Sequence, residues 1–133
     1  MATASIASAF FHQYRDEPDA VGYWADTAIA LATEHGYPFR LAQGHALRGW
    51  ARVAKGDADG LEELRAAVDA YAASGAAIEL PYYNGLIADA LVRLGRRADA
   101  LAHVDAALAA IQAHEDYFFR PTLRRLRTAV VAE

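Results

Sequence analysis

The sequence predicts an all-α fold: about three helical hairpins stacked as an α-solenoid, closed by a C-terminal capping helix. Three observations carry this prediction. The first is self-similarity. Sliding the chain by 39 residues sets Gly36 on Gly75, Leu41 on Leu80, Leu47 on Leu86, Gly49 on Ala88, Val53 on Val92 and Gly56 on Gly95. One residue is inserted after Gly95, and at an offset of 40 Leu61 meets Leu101, Leu64 meets Val104, Ala67 meets Ala107 and Val68 meets Leu108. A period of this size marks stacked copies of one supersecondary unit. The second observation is spacing. Ala42, Ala46, Gly49, Trp50 and Val53 recur in steps of one, three and four, and Leu61, Leu64, Val68 and Tyr71 in steps of three and four, which places each set on one helical stripe. The third is composition, rich in Ala and Leu with only four prolines.

Taken in order, the first helix runs from about Thr3 to Tyr14, with Ile6, Phe10 and then His12 to Tyr14 near its end. Phe10 and Phe11 read as core or capping residues, the alternative being an exposed pair that forms an interaction patch. Asp16 can cap the next helix and Pro18 suits its first turn. That second helix continues to His35 with Val21, Trp24 or Ala25, Ala28, Leu31 and Ala32 on one face, and stops at Gly36. The third helix opens at Pro38 and ends at Lys55. The fourth spans about Ala58 to Ser74, with Asp57 or Asp59 accepting from its free N–H groups. The fifth starts near Ile78 and stops at Gly95, the sixth covers about Arg97 to His114, and Asp116 reads as the N-cap after it. The last runs from about Tyr117 to Val131, turning Phe118 or Phe119, Leu123, Leu126 and Val130 inward and its arginines to water. The hairpins are therefore 3–35, 38–74 and 78–114, with a cap at 117–131, all in one domain of 133 residues. Small residues, Gly49/Ala88 in the first helix of a pair and Gly60/Ala100 with Ala67/Ala107 in the second, let the two axes approach closely.

These small positions, with Leu91, Gly95 and Val104, resemble the tetratricopeptide repeat in residue type, and the resemblance implies a right-handed superhelical stack. The best match is Pro81 to Leu108. The chain departs from that pattern at His45 or Arg48, where Trp or Leu stands in the family, and at Arg52, where an aromatic does. Its spacing of 39 to 40 also exceeds the family's, which is about 34. Whole phrases, IALATEHGYPF, LAQGHALRGWA and DAYAASGAAIELPYY, are similar to the C-terminal repeat region of large bacterial regulators. Those proteins join a nucleotide-cyclase or DNA-binding domain to an NTPase domain and a helical-repeat tail. The resemblance covers roughly Trp24 to the C-terminus and implies a place in a bacterial signalling or transcription regulator.

Function is less legible. With no Cys, disulfides and thiolate metal sites are excluded. A net charge of −4 disfavours nucleic acid. No apolar run reaches the roughly 18–20 residues that span a bilayer, and the N-terminus lacks a signal peptide's basic region, so a cytoplasmic protein is expected. His12 with Asp16, and Asp99 with His103, lie at i, i+4; a zinc site needs three or four convergent ligands, so both read as local pairs. No metalloprotease, phosphate-loop or nucleophile motif occurs. The prediction is no enzyme, no metal and no cofactor. What remains is the concave wall, which the first helix of each hairpin lines. Here it carries Gln43, Trp50, Tyr82, Asn84, Asp89 and Arg93, with Tyr83 close by; Asp89 and Arg93 can also pair with each other. Trp50 suits core and groove equally. Aromatics mixed with amides suit a peptide or protein segment, the upstream domains of a larger regulator included, and self-association is compatible. The alternative is a small-molecule sensor with a pocket between the inner helices.

Overall fold

The computed structural model describes residues 2–75, 79–114 and 120–132, with side chains except at 111–114, 120 and 132. These residues form seven helices and no strand: α1 (Ala2–Tyr14), α2 (Pro18–His35), α3 (Pro38–Ala54), α4 (Gly60–Ala73), α5 (Leu80–Arg93), α6 (Arg97–His114) and α7 (Arg120–Ala132). Prolines open α2, α3 and α5, where a missing N–H costs no intrahelical bond. The repeat seen in the sequence recurs in the backbone. Gly36 and its mate Gly75 have φ of 68° and 85°, and Gly56 and its mate Gly95 have 99° and 77°. At Gly36 the left-handed turn lets Tyr37 N–H return to Ala32 O at 2.9 Å, closing the end of α2.

Backbone contacts divide the chain into two compact units, Met1–Gly75 and Ala76–Glu133. In the first, α1 packs on α2, α2 on α3, α3 on α4, and α1 also reaches α3. Its core is the predicted set of stripes. Ala42, Ala46, Gly49, Trp50 and Val53 of α3 are all buried, and so are Leu61, Leu64, Val68 and Tyr71 of α4. On α2 the buried residues are Val21, Gly22, Ala25, Ala28 and Ala32, which puts Ala25 inside and leaves Trp24 and Leu31 half-buried. The tightest approach is at Gly49 and Gly60. A Cβ on Gly49 would sit 2.7 Å from the Gly60 carbonyl oxygen, and one on Gly60 would sit 2.5 Å from that of Gly49. The two backbones touch there because neither residue has a side chain.

In the second unit α5 packs on α6, α6 on α7, and α5 reaches α7. Ala88 and Ala100, the mates of Gly49 and Gly60, are completely buried. Val104 and Ala107 are buried like their mates Leu64 and Ala67. Leu101, expected to match Leu61, is only half-buried while Leu61 is buried. The row facing the hairpin partner repeats because the pairing itself requires it. The flank beside that row depends on whatever lies beyond it, and the repeat does not specify that.

Three local expectations are corrected. Phe11 is 50% exposed rather than core, with the Arg15 guanidinium over its ring at 5.4 Å. Asp16 does not cap α2; it takes a turn conformation with φ of 54°. Glu17 precedes the helix and accepts from His12 Nδ1 at 2.9 Å and Arg15 Nε at 3.0 Å. α4 starts at Gly60, and Asp57 accepts the Asp59 N–H at 3.0 Å in the turn before it. The predicted start of the fifth helix at Ile78, the Asp116 cap, the start of the last helix at Tyr117 and the inward Phe118 or Phe119 lie outside the described residues.

Candidate functional site

The seven residues singled out for the concave wall fall into two groups. In the first unit Gln43 and Trp50 are each 1% exposed. Gln43 Oε1 accepts from Arg40 Nη1 at 2.7 Å, and Trp50 is a core residue of α3. In the second unit Tyr82 and Tyr83 are buried on the first turns of α5, their rings edge to face at 5.2 Å. Tyr83 donates to Glu79 Oε2 at 3.4 Å. Asn84 is half-buried and bonded to His103, and Arg93 Nε donates to Asp89 at 2.8 Å, the i, i+4 pair foreseen. The aromatic residues thus turn little surface to solvent, because their large apolar areas gain more from helix packing than from water.

The polar centre of the first unit lies on another face of α3. His45, Arg48 and Arg52, spaced i, i+3, i+7, converge on Glu63 of α4. His45 Nδ1 donates to Oε2 at 2.7 Å, Arg48 Nε to Oε2 at 2.7 Å and Arg52 Nη1 to Oε1 at 2.9 Å. Arg48 also reaches Asp26 of α2 at 3.3 Å, and Arg52 Nε reaches Asp57 at 2.9 Å. One carboxylate therefore joins α3 and α4, and Arg48 extends the link to α2. The Glu63 side chain is only 11% exposed. Burial alone would push its carboxyl up, but the hydrogen bonds from His45, Arg52 and Arg48 outweigh burial and hold it below its ordinary value. Arg52 is raised by its hydrogen bonds to Glu63 and then Asp57.

These donors are the positions where the sequence departs from the tetratricopeptide pattern. The repeat explains part of the arrangement. His45 and Glu63 are the register mates of Asn84 and His103, and in the second unit His103 Nε2 bonds Asn84 Oδ1 at 2.9 Å. A cross-hairpin hydrogen bond is thus present at the same place in both repeats, with different chemistry. Asp99, expected to pair with His103, pairs with Arg96 at 2.9 Å instead. The arginines have no counterparts there, since Ile87 and Leu91 occupy their places and are buried.

Beside this network, α3 and α4 flank an open cleft of about 420 Å³ lined by Pro38, Leu41, Ala42 and His45 on one side and Glu63, Ala66, Ala67 and Ala70 on the other. Six of the eight side chains are purely hydrocarbon. On the α4 side the hydrocarbon wall is entirely alanine, which is why a gap persists between helices that touch at Gly49 and Gly60. Its polar end is His45 and Glu63. Among the described residues no three His, Cys, Asp or Glu side chains gather as metal ligands, and no helix is long and apolar enough to cross a membrane. Neither the family models, nor the curated proteins, nor the solved structures compared with this chain match it. The cleft was legible as spacing, 38/41/42/45 and 63/66/67/70 each being one helical face, but no single residue in it announces a site.

Proposed function

We propose that this chain is a non-enzymatic helical-repeat module that binds a protein segment. The observation that carries this reading is the hydrocarbon cleft between α3 and α4 with its single polar end. A cleft of this size and character suits an apolar anchor side chain better than a reacting substrate. Its titratable residues, His45 and Glu63, are bonded to each other, and no hydroxyl or thiol lines it. The sequence period, the paired φ angles and the cross-hairpin bond present in both repeats support a tetratricopeptide-like right-handed stack. The phrase-level resemblance supports a place in a bacterial cytoplasmic signalling or transcription regulator. The binding surface proposed is the α3–α4 cleft rather than the wall of Gln43, Trp50, Tyr82, Tyr83, Asn84, Asp89 and Arg93, whose aromatic members are buried.

The test is selection of a displayed random-peptide library on the full chain, with Ala70→Leu as counter-target. Ala70 is exposed, so the larger side chain fills the cleft without entering the core. Enriched peptides should bind the natural chain and lose at least tenfold in affinity on the filled one. If nothing is enriched, or the peptides bind both proteins equally, this site is wrong. A small molecule bound in the cleft instead would favour the sensor reading.

A further inference from the structure

The chemistry of the cleft narrows what its anchor can be, taking the segment-binding reading above as the premise. His45 is the only lining residue whose side chain has an uncommitted polar atom. Its Nδ1 lies 2.7 Å from the Glu63 carboxylate, which can only accept, so Nδ1 carries a proton, and in the neutral ring Nε2 then presents a lone pair. Among the described residues Nε2 has no hydrogen-bond partner. The ring is 33% exposed at the cleft's polar end. Glu63 itself is occupied by three donors and mostly covered, so it does not compete for a ligand. The site is therefore an apolar slot ending in one acceptor.

Each class of anchor meets this slot differently. An aliphatic or phenylalanine side chain would cover the Nε2 lone pair without replacing its water, and an unpaired buried acceptor is unfavourable. A lysine or arginine would lose hydration against alanine walls. An aspartate or glutamate would approach a cluster in which Arg48 and Arg52 already face three carboxylates, Asp26, Asp57 and Glu63. A tyrosine would also satisfy Nε2, but its ring is smaller than an indole and covers less of the hydrocarbon wall. An indole is large, flat and apolar, with one N–H donor and no acceptor. We infer that the α3–α4 cleft is a tryptophan-anchor pocket, in which the partner's indole lies against Leu41, Ala66 and Ala70 and donates its N–H to His45 Nε2.

The probes are N-acetyl-tryptophanamide, its 1-methylindole derivative, and the corresponding tyrosine, phenylalanine and leucine amides. Each is titrated into the full chain while the NMR signals of Ala66, Ala67 and Ala70 are followed. The tryptophan amide should shift these signals saturably and bind most tightly. Methylating the indole nitrogen removes the donor and should weaken binding about fivefold. Ala70→Leu should abolish the shifts while signals of α1 stay in place. Equal binding of the methylated indole overturns the inference, as does tighter binding of the tyrosine, phenylalanine or leucine amide. Silence from every amide also overturns it, even where library peptides bind the cleft through another residue; in that case the segment-binding reading survives. If the amides are silent and no peptide is enriched, both fall.

Discussion

Glu63 is where single residues decide most in the first unit. Replacing it with Gln keeps the shape but leaves Arg48, Arg52 and His45 without the charge they converge on. The expected loss is about 1–3 kcal/mol, read as a shift in the urea midpoint. Because the folded carboxyl titrates below its ordinary value, the network's contribution is fully present above pH 4.5 and is lost as pH falls through the lower folded value. The gap between the natural chain and Glu63→Gln should accordingly close as the solution is acidified below that point. A gap that stays constant to pH 2 would show that the pairing contributes nothing. Glycines give a second residue-scale test. A Cβ on Gly49 meets backbone atoms of Gly60 and Leu64 at 2.7 Å, whereas one on Gly44 meets the movable Cγ1 of Ile29 at 2.8 Å. Gly49→Ala should therefore destabilise by about 1–3 kcal/mol, and Gly44→Ala by less, since Ala also gains up to about 1 kcal/mol of helix propensity. Equal denaturation midpoints for the two variants would contradict the close approach at Gly49.

Helices are held here by their rows of small and large residues, and the same rows limit what each can tolerate. Ala88 is completely buried on α5, at the place Gly49 holds on α3. Enlarging it to Leu adds volume with nowhere to go and should cost about 1–3 kcal/mol. α7 is attached differently. Its described buried side chains are Leu123 and Val130, and a Leu123 methyl lies 3.2 Å from where a Cβ on Gly85 of α5 would be. Leu123→Ala should cost about 2–5 kcal/mol. If the helix serves as the cap that the sequence predicts, deleting 117–133 should also uncover apolar surface and produce dimers or aggregates in sedimentation. A truncated chain that remains monomeric with an unchanged melting temperature would show that α7 covers nothing.

At the scale of the molecule, the two compact units differ in completeness. Met1–Gly75 contains two helical pairs and a core from all four helices. Expressed alone, it should keep a helical circular-dichroism spectrum and melt in one cooperative step. A fragment that is unfolded at 25 °C would mean that its stability is borrowed from the rest of the chain.

What the sequence determined by itself was helix, repeat and row. Spacing of three and four residues is a local property of the backbone, so Ala42 to Val53 and Leu61 to Tyr71 could be placed on buried stripes before any neighbour was known. Positive φ at Gly36 and Gly56, and again at their mates, is likewise local. Tertiary structure decided which neighbour covers each remaining face. Trp50 and Tyr82 have the residue types of a binding wall, yet adjacent helices bury them, and burial is a property of the whole unit. Glu63 shows the converse. It lies 11 to 37 residues from its partners Arg52, Arg48, His45 and the more distant Asp26 that Arg48 holds, so no window of sequence contains the network. Periodicity states that His45, Arg48 and Arg52 share a face of α3. Only the close contact of Gly49 with Gly60 brings α4 near enough for one carboxylate to meet all three.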